Sequence, residues 1–168
     1  EPKKDAMTTK DWISLTDQLP DYARVTFCGG EPLIFSGFKE IFSYAARRFN
    51  CNLISNGLLL TEDLIDYLLS FPKFKVLSLS IEDIGNINRG VTERQWDHLK
   101  EMLKYFQKRK SELSHDCVVD IKTIILDKTA NDIFKTYKYL REELKVDTHV
   151  FQFLKGSPIQ HADNMFKF

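Results

Sequence analysis

The run Gly29-Gly30-Glu31-Pro32 holds one carboxylate between a glycine pair and a proline, directly after the apolar stretch "ARVTFC". Glycine lets the backbone reach positive φ and approach a ligand closely. Proline fixes the exit and removes a backbone donor. A carboxylate held at such a point can accept hydrogen bonds from an ammonium group, while the loop carbonyls accept others. The same residues also suit a tight strand-to-helix turn with a solvated glutamate. Two further polar groups follow apolar runs: Ser55-Asn56-Gly57 after "CNLI", and Ser80 to Asp83 after "KVLSL". Ser55-Asn56-Gly57 also reads as a plain turn. His98, His115, His149 and His161 are scattered, with no i, i+4 metal pair, and read as surface or satisfied positions. Cys28, Cys51 and Cys117 contain no CxxC pair, so a zinc site is not expected. Cys28 reads as a small buried strand residue.

The elements that position these groups alternate. "TTKDWISLTDQL" predicts a helix opened by Thr8 or Thr9, and "ARVTFCG" a strand. "SGFKEIFSYAARRF" predicts a helix with Phe38, Ile41, Phe42, Ala45 and Phe49 on one face. "CNLISNG" reads as a strand, and "TEDLIDYLLSF" as a helix capped by Thr61. "KVLSLSI" is a strand, followed by a long helix with a Thr92–Gln95 capping box and a Trp96, Leu99, Leu103, Phe106 stripe. Its basic run, Lys104 to Leu113, reads as a solvated helix end. "CVVDIKTIIL", "NDIFKTYKYLREEL" and "THVFQFLKG" complete the series as strand, helix and strand; the tail "SPIQHADNMFKF" shows no clear element.

Strands and helices joined by short connections predict βα units and a parallel sheet. No GxGxxG or P-loop follows any strand. Polar, glycine-marked residues recur at several strand C-termini, the way barrel active sites are assembled. A curled sheet is therefore expected rather than a doubly wound one.

Composition narrows the function. Lys plus Arg equal Asp plus Glu at 24 each, which speaks against a nucleic-acid binder that must neutralise phosphates. At 43% hydrophobic residues the 168-residue chain can bury a core as a single domain, residues 1–168. No run approaches the ~18–20 apolar residues of a membrane span. Three widely spaced cysteines give no disulfide framework and suit a reducing compartment, the cytoplasm.

The ordered set of strand-end sequences resembles the radical S-adenosylmethionine (SAM) superfamily. "GGEPL" is similar to the segment after that family's second barrel strand, "ISNG" to its "TNG", and "LSLSIED" to its fourth-strand "SxD", with Glu82 where Asp is commoner. "NRG", Asn88 to Gly90, "DIKTIILDKTAND" and "THVFQFLKG" match the following stretches in order. The resemblance implies an α/β fold: a partial (β/α)6 TIM-like barrel made of the second to sixth strands. It also implies SAM as cofactor. Gly29, Gly30, Glu31 and Pro32 would meet the SAM amino group, Ser80 and Glu82 the ribose or carboxylate, and Arg89 the carboxylate. Asn56 and Lys122 would point into the barrel near SAM. The alternation Asp120, Lys122, Ile124 puts Lys122 on one strand face, and an outward position between helices is equally compatible. Arg89 also reads as a surface charge, and Ser80 as a small residue filling a barrel layer.

The family's chemistry uses a 4Fe–4S cluster on a CxxxCxxC loop, which cleaves SAM to a 5′-deoxyadenosyl radical that abstracts hydrogen from substrate, in many relatives a peptide or protein. This chain contains no CxxxCxxC. It is expected to be a piece lacking the first strand and cluster loop, inactive alone, with "ARVTFC" as an open sheet edge. Two alternatives stand beside this: a cluster-free barrel acting as a small-molecule binding module, and an unrelated phosphate-binding barrel using "LKGSPI".

Overall fold

A computed structural model describes residues 7–81, 92–125 and 133–153. Five helices and five strands alternate: α1 Thr9–Asp17, β1 Arg24–Phe27, α2 Phe38–Arg48, β2 Asn50–Ser55, α3 Glu62–Leu69, β3 Phe74–Ser80, α4 Glu93–Glu112, β4 Val118–Ile125, α5 Ile133–Glu142 and β5 Thr148–Phe153. A 3-10 turn, Pro32–Ile34, lies between β1 and α2.

Hydroxyl caps start three of the helices. The Thr8 side chain accepts from Asp11 N while Asp11 accepts from the Thr8 backbone, and Thr92 and Gln95 repeat this reciprocal box. Thr61 accepts from Leu64 N at the start of α3. Each cap satisfies backbone donors that the first helical turn leaves without carbonyl partners.

All strands pair in parallel in the order β1-β2-β3-β4-β5. Sequential order with right-handed crossovers puts the connecting helices on one face, the topology of a barrel segment. A doubly wound sheet would instead reverse its order, so the expected curled architecture holds. The helix-covered face carries Cys51, Leu53, Leu77, Leu79, Val119 and Ile121, each essentially inaccessible. Phe42 on α2 sits at the centre of the aromatic core, its ring 5.3–5.6 Å from those of Phe27, Phe38, Phe71 and Phe74. Burying one such ring contributes about 1.5–3 kcal/mol, and edge-on packing adds to it.

The opposite sheet face is polar. In register lie Thr26 beside Asn52, Ser78 beside Asp120, Asp120 beside Thr148, and Ser80 beside Lys122. The carboxylate of Asp120 accepts from Ser78 Oγ at 2.9 Å and Thr148 Oγ1 at 2.6 Å, tying three strands in one row.

The basic end of α4 departs from the expectation of a solvated run. Arg109 binds Asp66 of α3 at 2.7 Å, and Lys110 binds Asp147 before β5 at 2.6 Å. Asp147 also accepts from Val119 N at 2.7 Å. These cations are spent on joining the helix to its neighbours because α4 ends against both connections. Together with Lys75–Asp116 the Arg109–Asp66 pair lines a cleft of about 640 Å³ at the N-terminal end of the sheet, where barrel folds place stability rather than chemistry.

Candidate functional site

The C-terminal ends of β1 and β2 are joined by one carboxylate. β1 stops at Phe27, and the chain turns through Gly29 at φ +134°, a conformation L side chains rarely adopt. A Cβ on either Gly29 or Gly30 would meet nothing within 4 Å, so both glycines leave an open approach to the loop backbone. Pro32 then opens the 3-10 turn, with Glu31 as its cap.

Glu31 reaches across to β2. Its Oε1 accepts from Leu33 N at 3.1 Å and from Ser55 Oγ at 2.9 Å. Its Oε2 accepts from Asn56 N at 2.8 Å. Ser55 is buried, and its hydroxyl oxygen in turn accepts from Gly57 N at 2.9 Å. Asn56 Oδ1 accepts from Leu58 N at 2.9 Å, closing an Asx turn. Gly57, at φ +76°, lies against Leu99 and Leu79 of the core. Both candidate turns are therefore real turns, and they are also one unit: Glu31 locks the loop after β1 to the turn after β2. A carboxylate has about four acceptor positions, and three are used among the described residues. The remaining one, on Oε2, has no partner among the described residues.

Ser80 ends β3 half-buried, in register with Lys122 of β4. Lys122 alternates with Ile121 and Thr123, both buried on the helix side, so it lies on the polar face with Asp120 and not between helices. The structure thus groups Gly29, Gly30, Glu31, Pro32 and Asn56 at two adjacent strand ends, and Ser80 with Lys122 further along the same sheet. Glu82 and Arg89 lie outside the described residues, as do His161, "LKGSPI" and the tail.

One expectation is corrected. Cys28 is exposed, not buried. β1 ends one residue earlier, and strand alternation that turns Phe27 onto the core turns Cys28 away from it. Cys51 and Cys117 are buried on the sheet, and burial pushes both thiols up to about 12.

Sequence reasoning passed over two features. Asp120 gathers hydroxyls from both neighbouring strands; its only sequence signal was the period-2 pattern it shares with Lys122. Asn52 on the same face holds Thr26 Oγ1 weakly, at 3.4 Å, and its buried Oδ1 has no partner among the described residues.

The family model for the radical SAM superfamily matches residues 1–140. Native anSMEcpe with bound AdoMet (S-adenosylmethionine) superposes with a TM-score of 0.58 at 18% identity, over 86% of this chain and 41% of that chain. Native anSMEcpe with bound AdoMet and Kp18Cys peptide gives 0.62 at 17% identity, with the same coverage. This chain thus spans less than half the length of those solved chains. No curated protein matches it. With the family model matching most of its length, and with a parallel barrel segment whose glycine-rich loop stands at the strand C-termini, the chain belongs to the radical SAM superfamily.

Proposed function

We propose that this chain, residues 1–168 as one domain, is the SAM-binding core of a radical SAM enzyme, and that the methionyl end of SAM docks at the ends of β1 to β3. The observation that supports this most is the Glu31 carboxylate, pinned by Ser55 and Asn56 yet keeping an acceptor position beside two glycines open to approach. The SAM ammonium group would donate to Glu31 and to loop carbonyls of Gly29 and Gly30. Pro32 contributes no donor, so the loop favours a cation over an anion. Ser80 and Glu82 would serve the ribose or carboxylate, and Arg89 the carboxylate through its fork. Asn56 and Lys122 would border the same ligand.

SAM fits the residues present; the family's 4Fe–4S cluster does not. Among the described residues no three His, Cys, Asp or Glu side chains come together as a metal site. Two of the three cysteines are buried neutral thiols, whereas cluster iron takes thiolates. In the parent enzyme the cluster would supply the electron that cleaves SAM to a 5′-deoxyadenosyl radical for hydrogen abstraction. The present chain supplies the binding edge and is inactive alone. One solved relative holds a peptide together with AdoMet, which supports a peptide or protein substrate for the parent. Free thiols and the lack, among described residues, of a helix able to cross a membrane are in keeping with a cytoplasmic enzyme.

Calorimetric titration of the chain with SAM tests the reading, together with anaerobic iron and sulfide reconstitution. Saturable one-to-one binding, with no iron–sulfur chromophore and no 5′-deoxyadenosine after reduction, is expected. Absence of saturable binding overturns the SAM site; an assembled, SAM-cleaving cluster overturns the inactivity.

A further inference from the structure

Ile81, the residue after β3, is held to β4 by two bonds of different kinds. Its N–H donates to Lys122 O at 3.0 Å, as in an ordinary ladder. Its carbonyl takes a side-chain partner: it accepts from Thr123 Oγ1 at 2.5 Å. Thr123 is buried, and its oxygen lies 2.8 Å from His149 Nε2 on β5. A threonine hydroxyl has one proton. That proton goes to Ile81 O, so toward His149 the oxygen accepts, and Nε2 must carry a hydrogen. The neutral ring then has a bare Nδ1, which is buried with no partner among the described residues. The ring is stacked on Tyr137 of α5, 6.0 Å between centroids and 12° between planes, and lies 4.2 Å from the ring of Phe151.

We propose that Thr123 and His149 are positioning residues for the SAM edge: the chain His149 Nε2–H to Thr123 Oγ1–H to Ile81 O fixes where β3 leaves the sheet, and so where Ser80 stands. This rests on the SAM-binding reading for its consequence, but not for its geometry. Neither residue need touch the ligand. The relay works only with neutral His149, because a second ring proton at Nδ1 would be a buried donor without an acceptor. Burial lowers the pKa of His149; Asp120 across β4 opposes this and Arg141 on α5 adds to it. A histidine lowered in the fold stays neutral there even below its ordinary value of about 6.5, and the relay is lost only as pH falls through the lowered value.

The test measures SAM affinity of the full chain by calorimetry between pH 7.5 and 5.0 for wild type, Thr123→Val, Thr123→Ser and His149→Phe, with amide exchange of Ile81 followed in parallel. Loss of one bond at the edge predicts affinity about fivefold to tenfold weaker in Thr123→Val, and recovery in Thr123→Ser. The wild type loses more affinity toward the acid end of this range than His149→Phe does. Equal affinity in Thr123→Val, or an unchanged pH dependence in His149→Phe, overturns the proposal. If the wild type binds no SAM, the functional reading fails separately. Ile81 exchange then decides the relay: protection lost in Thr123→Val and regained in Thr123→Ser upholds it, and unchanged protection overturns it.

Discussion

Replacing Glu31 by alanine removes three acceptor contacts at once, to Leu33 N, Ser55 Oγ and Asn56 N. Their costs differ because their exposure differs. Asn56 is exposed, and water takes over its N–H at little loss. Leu33 is half-buried, and its bond contributes about 1 kcal/mol. Ser55 is buried, and a buried donor left without an acceptor costs about 1–3 kcal/mol. The sum is about 2–4 kcal/mol, and for a chain of this size each kcal/mol lowers the melting temperature by about 2–4 °C. Glu31→Ala should therefore melt roughly 4–16 °C below wild type. Glu31→Gln keeps one acceptor oxygen and turns an NH2 group toward the remaining donor, so it should fall between the two. The sharper assay is a double-mutant cycle in urea with Ser55→Ala. Once Ser55 has lost its hydroxyl, deleting Glu31 costs less, and the coupling should be about 1 kcal/mol. Additive effects, or a Glu31→Ala protein that melts with wild type, would refute the claim that this carboxylate joins the two strand ends.

Other expectations follow from single features. A methyl group on Gly57 would lie 2.6 Å from Leu99 Cδ1 at a positive φ, so Gly57→Ala should lose about 2–3 kcal/mol in urea unfolding, and an unchanged midpoint would contradict the packing. In the native protein at pH 8 an aromatic disulfide reagent should titrate Cys28 alone, with Cys51 and Cys117 reacting only after unfolding; three fast thiols would show the two buried cysteines misplaced. Arg109, hydrogen-bonded to Asp66, holds that carboxyl below its ordinary 3.8. Its contribution is present above that value and lost as pH falls through the lowered one. Arg109→Leu should thus flatten the dependence of stability on pH below about 4; an unaltered slope would remove Asp66 from the acid response.

The sequence carried the elements because their signals are local. Threonines at 8, 61 and 92 sit where helix donors need them, and the apolar stripe of α2 recurs every three or four residues. Its period-2 strands also showed that Lys122 shares a face with Asp120, but not which face. That is decided by Ile121 and Thr123, whose burial depends on helices elsewhere in the chain. Cys28 was misplaced because strand alternation, which turns its neighbour Phe27 onto the core, turns Cys28 to the other side. The glycine-flanked glutamate was legible as a site, yet its partners on β2 lie 24 and 25 residues further on. No local pattern encodes that contact; it exists only after β1 and β2 pair in register. The Thr123–His149 relay is hidden for the same reason, since it spans three strands.

The most direct measurement of the central claim is the amide spectrum of the isotope-labelled chain titrated with SAM. The account predicts shifts concentrated at Gly29, Gly30, Glu31, Asn56, Gly57, Ser80 and Lys122, saturating together, with the cleft around Lys75 and Asp116 at the other end of the sheet unmoved. Shifts confined to that opposite cleft, or none at SAM concentrations that saturate the calorimetric signal, would contradict it.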